Sequence, residues 1–401
     1  MVNRQRWRPA LGALMLAAML LGLVAAPAGA SGGTSGIRDP IVAGEVIVRL
    51  RDAADLPALA TQYSLDPTPI DQLSIAPLFL MRIADGVSPE VRALALAADG
   101  RVQYAESNVV GSSAEDQGST SWSSGGSADT FVGQWAPTVM RLPQAFRVTR
   151  GAGVTVAVLD TGVDTTHPAL AGHVIDGYDF VDNDTDPSEV GIAGVDRAYG
   201  HGTFVSGLVA LAAPDARIMP VRVLDPNGMG DVWRLAKSMV WAAVNGADVI
   251  NLSLGTNTRT HVANELISDL AVSGRGIVVV AAAGNAASSQ PEFPAGEGGS
   301  RVLSVGATTP GDTLASFSDF GSWVDVSAPG VSVWSTIPGG QYATWSGTSM
   351  ATGLASGQAA LVRAAYPYLS AQTVISRITN TTRRISGPVP MRIDAGASVG
   401  Q

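Results

Sequence analysis

The chain has 401 residues, a formal net charge of −9, no cysteine and a single lysine, Lys237. The acidic balance and the lack of a basic patch exclude nucleic acid as a partner, and without cysteine neither a disulfide framework nor a thiolate metal site is available. Composition otherwise says only that the chain is globular and large enough for a substantial core.

In chain order, Arg4, Arg6 and Arg8 precede the apolar run Leu11 to Ala26, which is followed by Ala28-Gly29-Ala30. A basic segment, a short hydrophobic core and an A-x-A site predict a secretory signal peptide over 1–30. A core of about 16 residues is shorter than the roughly 20 a membrane span needs. A secreted protein without a membrane anchor is expected, extracellular or in the cell envelope.

Residues 41–110 read as a small unit of their own. Glu45 to Arg51 alternates like a strand, Asp55 to Tyr63 is helical, and Pro77 to Ile83 is a second strand. Ser88-Pro89-Glu90 opens a helix to Ala98, and Arg101 to Ala105 closes with a strand. Two helices alternating with strands predict a ferredoxin-like βαββαβ domain, its third strand poorly marked. From 111 to 130 the composition turns to Ser and Gly, with Glu115, Asp116 and Asp129, and predicts a flexible linker.

The remainder, 131–401, fits one large α/β domain. Val154 to Leu159 is a short β-branched run of the kind a buried parallel strand shows. It ends in Asp160-Thr161-Gly162, which puts Asp160 at the carboxyl end of a central strand, where open α/β sheets hold their sites. Asp179, Asp182, Asp184 and Asp186 then crowd one loop, a candidate for a hard cation such as calcium. Gly200-His201-Gly202-Thr203 opens an apolar helix. Lys237 lies in a helical stretch from Asp231 to Val244, far in sequence from any serine-rich turn, so a Ser-Lys pair is not expected. Asn251-Leu252-Ser253-Leu254-Gly255 follows a strand, and the apolar strand Gly276 to Ala283 ends in Gly284-Asn285. Finally Gly347-Thr348-Ser349-Met350-Ala351 places a serine hydroxyl at the start of a helix.

Singly, these residues have commoner readings: a serine there is an N-cap, an aspartate after a strand is a turn former, and a lone histidine is structural. A hydroxyl nucleophile needs a base and the base an orienting partner. Together, Val156-Ala157-Val158-Leu159-Asp160-Thr161-Gly162-Val163-Asp164, His201-Gly202-Thr203 and Gly347-Thr348-Ser349-Met350-Ala351 resemble the subtilisin-like serine proteases. The similarity runs from about Gln134 to about Ala397 and is very specific.

The resemblance implies a subtilisin-like doubly wound parallel sheet and a serine endopeptidase of broad specificity. Its nucleophile would be Ser349, its base His201 and its orienting carboxylate Asp160, with Asn285 donating to the oxyanion. It needs no cofactor for catalysis. Ser253, Leu254 and Gly255 would pair with an extended protein or peptide substrate, Gly228 and Gly230 would form the opposite wall, and Glu292 would lie near the floor of the pocket for the residue before the scissile bond. The 41–110 unit resembles the propeptides of that family, which assist folding and then inhibit. A monomeric, self-processing zymogen is expected, cut in or just before the linker.

Asp179, Asp182 and Asp184 match a calcium loop of thermostable members best, whereas a second family site, an insertion in the helix after the histidine, is absent. Phe204 replaces the histidine usual after the His-Gly-Thr turn, and Gly353-Leu354 replaces the Pro-His usual after the serine. Since glycine costs up to about 1 kcal/mol in a helix, Gly353 is expected to loosen the turn that carries Ser349. The rival reading is a catalytically impaired subtilisin-like protein that only binds peptides. An esterase elbow at Gly396 to Gly400 has no histidine after it, and the base position of acid peptidases, a glutamate, is here His201.

Overall fold

Val156 to Leu159 is apolar at every position, which suits a strand covered on both faces. In the computed structural model, which describes residues 39–117, 123–389 and 391–401, this run is the centre of the main sheet. The signal peptide read over 1–30 lies outside the described residues.

Among the described residues the sheet has nine strands, in the spatial order 383–384, 391–392, 326–329, 302–308, 278–282, 249–252, 155–160, 217–222 and 178–179. All neighbours are parallel except the 383–384/391–392 pair at one edge. Register is set by side-chain alternation. Val156 and Val158 face the helices α3 (His201–Ala212) and α6 (Thr348–Ala365), whereas Ala157 and Leu159 face α4 (Val232–Val244) and α5 (His261–Val272). Each large apolar side chain buried this way contributes about 1.5–3 kcal/mol. The expected strand ends one residue later than Leu159, on Asp160 itself, so the carboxylate is part of the last hydrogen-bonded position and not of a loose turn.

The front of the chain alternates as its pattern predicts: β1 (Ile41–Leu50), α1 (Leu56–Gln62), β2 (Asp71–Leu73), β3 (Leu78–Arg82), α2 (Pro89–Ala97) and β4 (Val102–Ser113). Its antiparallel sheet has the order β4-β1-β3-β2. Val46, Val48 and Leu50 pack on Leu59 and Leu96 from its two helices, while Ile47, Leu80 and Tyr104 share a core with Trp233 and Leu266 of the main unit.

Polar contacts fix that second face. Glu106 accepts from the backbone N–H of His261 (2.6 Å) and of Val262 (2.8 Å), and Asn108 Oδ1 accepts from Trp233 N–H (3.1 Å). These are first-turn donors of α5 and α4 that no intrahelical carbonyl can reach; Thr260 supplies α5 with no side-chain cap. Lys237, solitary in the sequence, pairs with Asp71 at 2.6 Å.

One boundary is corrected. The closing strand does not stop near Ala105 but runs to Ser113, and 114–117 is a 3₁₀ turn, so 111–117 is not free linker. Backbone pairing, to which Ser and Gly offer no side-chain pattern, decides this. Further on, Ser123–Ser124 pairs with the strand at 341–345 and Ala128–Val132 is a short helix capped by Ser127.

Candidate active site

Three elements of the main unit converge at the carboxyl ends of its strands. Asp160 ends the central strand, His201 is the first residue of α3, and Ser349 is the second residue of α6. All three are fully buried in this uncut chain. His201 Nδ1 donates to Asp160 Oδ1 at 2.6 Å, and that oxygen also accepts from Thr161 N–H at 2.8 Å. Trp345 stands edge-on to the imidazole, with ring centroids 5.5 Å apart. Ring orientation is thereby fixed from two sides.

Asn285 is aimed by Thr348. Its Oδ1 accepts from Thr348 N–H (2.9 Å) and from Thr348 Oγ1 (3.0 Å), which leaves the Nδ2 amide facing the cleft. The 2.9 Å hydrogen bond that this amide donates goes to the carbonyl oxygen of Ala114. An oxyanion donor must sit at just this range from the oxygen that becomes negative.

The two segments expected to wall the cleft both pair with the end of β4. Leu254 and Gly255 pair antiparallel with Ser113 and Ser112, and Gly230 and Met229 pair with Gly111 and Ser112 from the other side. Gly228 accepts from Ser113 N–H through its carbonyl (2.9 Å), and Ser253 accepts from Ala114 N–H (3.4 Å). The end of β4 is thus a middle strand between two cleft walls. Glu292 is buried and packs between Gly255 and Gly284: Cβ atoms built on those glycines would lie 3.1 Å from its Oε2 and 2.7 Å from its Oε1. Beside it, burial pushes the Asp319 carboxyl up to about 6 against the pull of two backbone donors.

Sequence reasoning missed Glu115. Its Oε2 accepts from Ser349 Oγ–H at 2.6 Å and lies 2.7 Å from His201 Nε2, while Oε1 lies 3.3 Å from Asn285 Nδ2. A glutamate in a Ser/Gly stretch has no periodicity to reveal such a position. The direct serine–histidine contact anticipated from the family is replaced by this carboxylate, which takes both groups. Burial opposes a charge on His201, yet the Asp160 and Glu115 carboxylates together hold its pKa well above the ordinary value. A second missed residue, Glu189, lies buried behind Asp160 on Thr203 (2.8 Å), and burial raises its pKa to about 7.

The departure at Gly353 has a packing reason. A Cβ there would lie 3.1 Å from the Val205 carbonyl oxygen, and one at Gly357 would collide with Ala212. The two glycines let α6 lie directly on α3, so the helix bearing Ser349 is held against the helix bearing His201. Phe204 fills the space beside them, edge-on to Trp345 at 5.6 Å.

The carboxylates of the acidic loop have partners within the protein. Asp179 and Asp182 both turn to Arg222 Nη1, each at 2.5 Å, while Asp184 and Asp186 accept backbone N–H groups of Asp186 and Ser188. Among the described residues no cluster of three or more acidic or histidine side chains is arranged for a metal.

Aspartate, histidine and serine thus meet, in that chain order, at the carboxyl ends of the strands of a doubly wound α/β sheet. The profile of the Subtilase family matches residues 151–395, and the chain belongs to that family. It is 43% identical over 274 residues to the thermophilic serine proteinase of Bacillus sp. (strain AK1), covering 65% of this chain and 63% of that protein. With thermitase of Thermoactinomyces vulgaris it shares 40% over 264 residues, covering 63% of this chain and 90% of thermitase. The chain therefore spans slightly under two thirds of the first of these relatives. The crystal structure of fervidolysin from Fervidobacterium pennivorans, a keratinolytic enzyme related to subtilisin, superposes with a TM-score of 0.75 at 24% identity, over 90% of this chain and 61% of that one. A cold-adapted subtilisin-like serine proteinase gives 0.56 at 32% identity, over 62% and 90%.

Proposed function

We propose that this chain is the precursor of a secreted serine endopeptidase, in which Ser349 is the nucleophile, His201 the general base and acid, Asp160 its orienting partner and Asn285 the oxyanion donor. The observation that carries the reading is the backbone of Ser112, Ser113 and Ala114, threaded between the two cleft walls with the Ala114 carbonyl on the Asn285 amide. That is how an extended peptide would lie for attack.

In the reaction, Ser349 Oγ bonds to the substrate carbonyl carbon as His201 Nε2 takes the hydroxyl proton. Asp160 stabilises the resulting imidazolium, and Asn285 with the backbone N–H of Ser349 holds the oxyanion at the positive end of α6. His201 then gives the proton to the leaving amine, and water repeats the sequence on the acyl-enzyme. Affinity comes mainly from backbone pairing, which tolerates many side chains. Two features narrow it. An apolar hollow beside Gly111, lined by Leu224, Leu235 and Leu254, favours an apolar residue four positions before the scissile bond, and Glu292 favours a basic or polar residue directly before it.

The front unit, with its βαββαβ order, serves as a ferredoxin-like propeptide that templates α4 and α5 and then blocks the cleft. The basic and apolar leader directs export; consistent with this, no helix among the described residues is long and apolar enough to cross a membrane. The test is to express the precursor and its Ser349→Ala variant and to follow casein hydrolysis and labelling by a fluorophosphonate. Labelling and hydrolysis by the wild type alone are expected. A well-folded wild type that does neither would sink the proposal in favour of a peptide-binding role.

A further inference from the structure

We infer that the chain cuts itself between Ala114 and Glu115, and that the Glu115 side chain is a latch that delays this cut by occupying Ser349 and His201. The inference rests on the protease reading but adds the bond and its control. It begins with register. Val110 pairs with Asp231, Gly111 with Gly230, Ser112 with Gly255 and Ser113 with Leu254, and each step places the next residue one position deeper. Ala114 arrives with its N–H on Ser253 O and its carbonyl oxygen 2.9 Å from Asn285 Nδ2. No other carbonyl hydrogen-bonds to that amide among the described residues, so the peptide bond after Ala114 is the one presented.

Glu115 is the residue on the leaving side of that bond. Its carboxylate receives the Ser349 hydroxyl and lies on His201 Nε2, the atom that must be free to take the serine proton. Space for it is made by Gly347, where any Cβ would run into Glu115 Oε1. With Asp160 on Nδ1 and Glu115 on Nε2, the imidazole is held as a cation between two carboxylates, and a cation is no base. Before the cut, this imidazolium must release a proton to solvent. Ser349 Oγ then bonds to the Ala114 carbonyl carbon, and the Ala114–Glu115 C–N bond breaks as His201 passes the serine proton to the new Glu115 amine. Water hydrolyses the ester to leave a free Ala114 carboxylate.

The sign of the pH dependence follows. The pKa of His201 is raised above its ordinary value of about 6.5. The latch is therefore complete below that value and is lost as pH rises through the raised pKa. Cleavage should accelerate with pH over this window. The charged groups facing the imidazole are Asp160 and Glu115; Glu189, behind Asp160, titrates near 7 in the same window but is common to wild type and variant, so the difference between their profiles reports Glu115.

The test uses the full-length precursor, its Glu115→Gln and Glu115→Ala variants, and Ser349→Ala as the uncut control. Intact mass of the processed wild type is expected to place the first cut after Ala114. The processing midpoint of both Glu115 variants should fall by about one pH unit, which is about tenfold faster processing near pH 6; thermal melts of each in the Ser349→Ala background verify folding. A first cut elsewhere overturns the bond, and coincident pH profiles overturn the latch. If the wild type takes fluorophosphonate label and degrades casein while either of these holds, only this inference fails. If it neither labels nor cuts, the protease reading falls with it.

Discussion

The front unit and the main unit bury their sheets by different means, and the contrast explains which of them can hold a reactive site. In the main unit the central strands are apolar on both faces and covered by helices of the same unit, and Asp160, His201 and Ser349 sit on these elements. The front sheet covers one face with its own two helices and the other with the main unit, where Ile47 and Tyr104 pack, Glu106 takes the first N–H groups of α5, which has no side-chain cap of its own, and Asn108 takes one that the Asp231 cap of α4 leaves over. A small sheet that shares half its core depends on its neighbour for burial. A large open sheet covered on both faces by helices is suited to hold a fixed geometry at its strand ends.

If that division is right, the largest effects belong to single atoms of the main unit. Ser349→Ala should reduce turnover by about 10⁶, the size measured for the serine of a subtilisin, while the precursor stays folded and uncut by gel and by calorimetry. Next, Asn285→Ala should cost about 10²–10³ in kcat, again a figure measured on a subtilisin, with little change in KM. An equal loss in both would mean that the amide holds substrate rather than the oxyanion.

Packing within the main unit comes next. Gly357→Ala puts a methyl group into Ala212 of the facing helix, and overpacking of that kind costs about 1–3 kcal/mol. A denaturant melt should show it, together with a lower kcat, because the helices that carry Ser349 and His201 are pushed apart. A melt unchanged from wild type would separate helix contact from site geometry. Across the interface, Glu106→Ala in the Ser349→Ala precursor removes a cap worth about 1 kcal/mol. The melting midpoint of this uncut precursor should fall accordingly; a midpoint unchanged from Ser349→Ala alone would show that the Glu106 contacts do not hold the two units together.

The smallest expected effect concerns calcium. Arg222 already neutralises Asp179 and Asp182 within the main unit, so chelation should leave the melting midpoint where it was. A drop on chelation, reversed by added calcium, would show that Arg222 yields to a cation and that the main unit is less self-sufficient than its core suggests.

Much of this was legible in the chain. The unbroken apolar run before Asp160, the glycine turn before His201 and the small-residue helix after Ser349 each carry their own local pattern, and the motifs around them identify the family. Asn285 was singled out by the family resemblance, just beyond an apolar strand that ends at Ala282. The second strand of the front unit, β2, left no pattern because Asp71-Gln72-Leu73 is only three residues long, so the run read as the second strand is in fact the third, β3, and the end of β4 was invisible because its pairing partners lie more than a hundred residues away. Gly353 was read as a weakness because helix propensity is local, whereas its use is a contact with another helix.

The sequence by itself determined the sheet, the family and the turns that carry Asp160, His201, Asn285 and Ser349, because strand and helix periodicity and the turns between them are encoded over a few neighbours. Only the tertiary structure decided that residues 110–115 lie in the cleft, that Glu115 stands between Ser349 and His201, and that an arginine answers the acidic loop. Each of these depends on which distant backbone or charge arrives nearby once the cores have closed, and nothing in the local pattern of a Ser/Gly stretch or an Asp-rich turn fixes that.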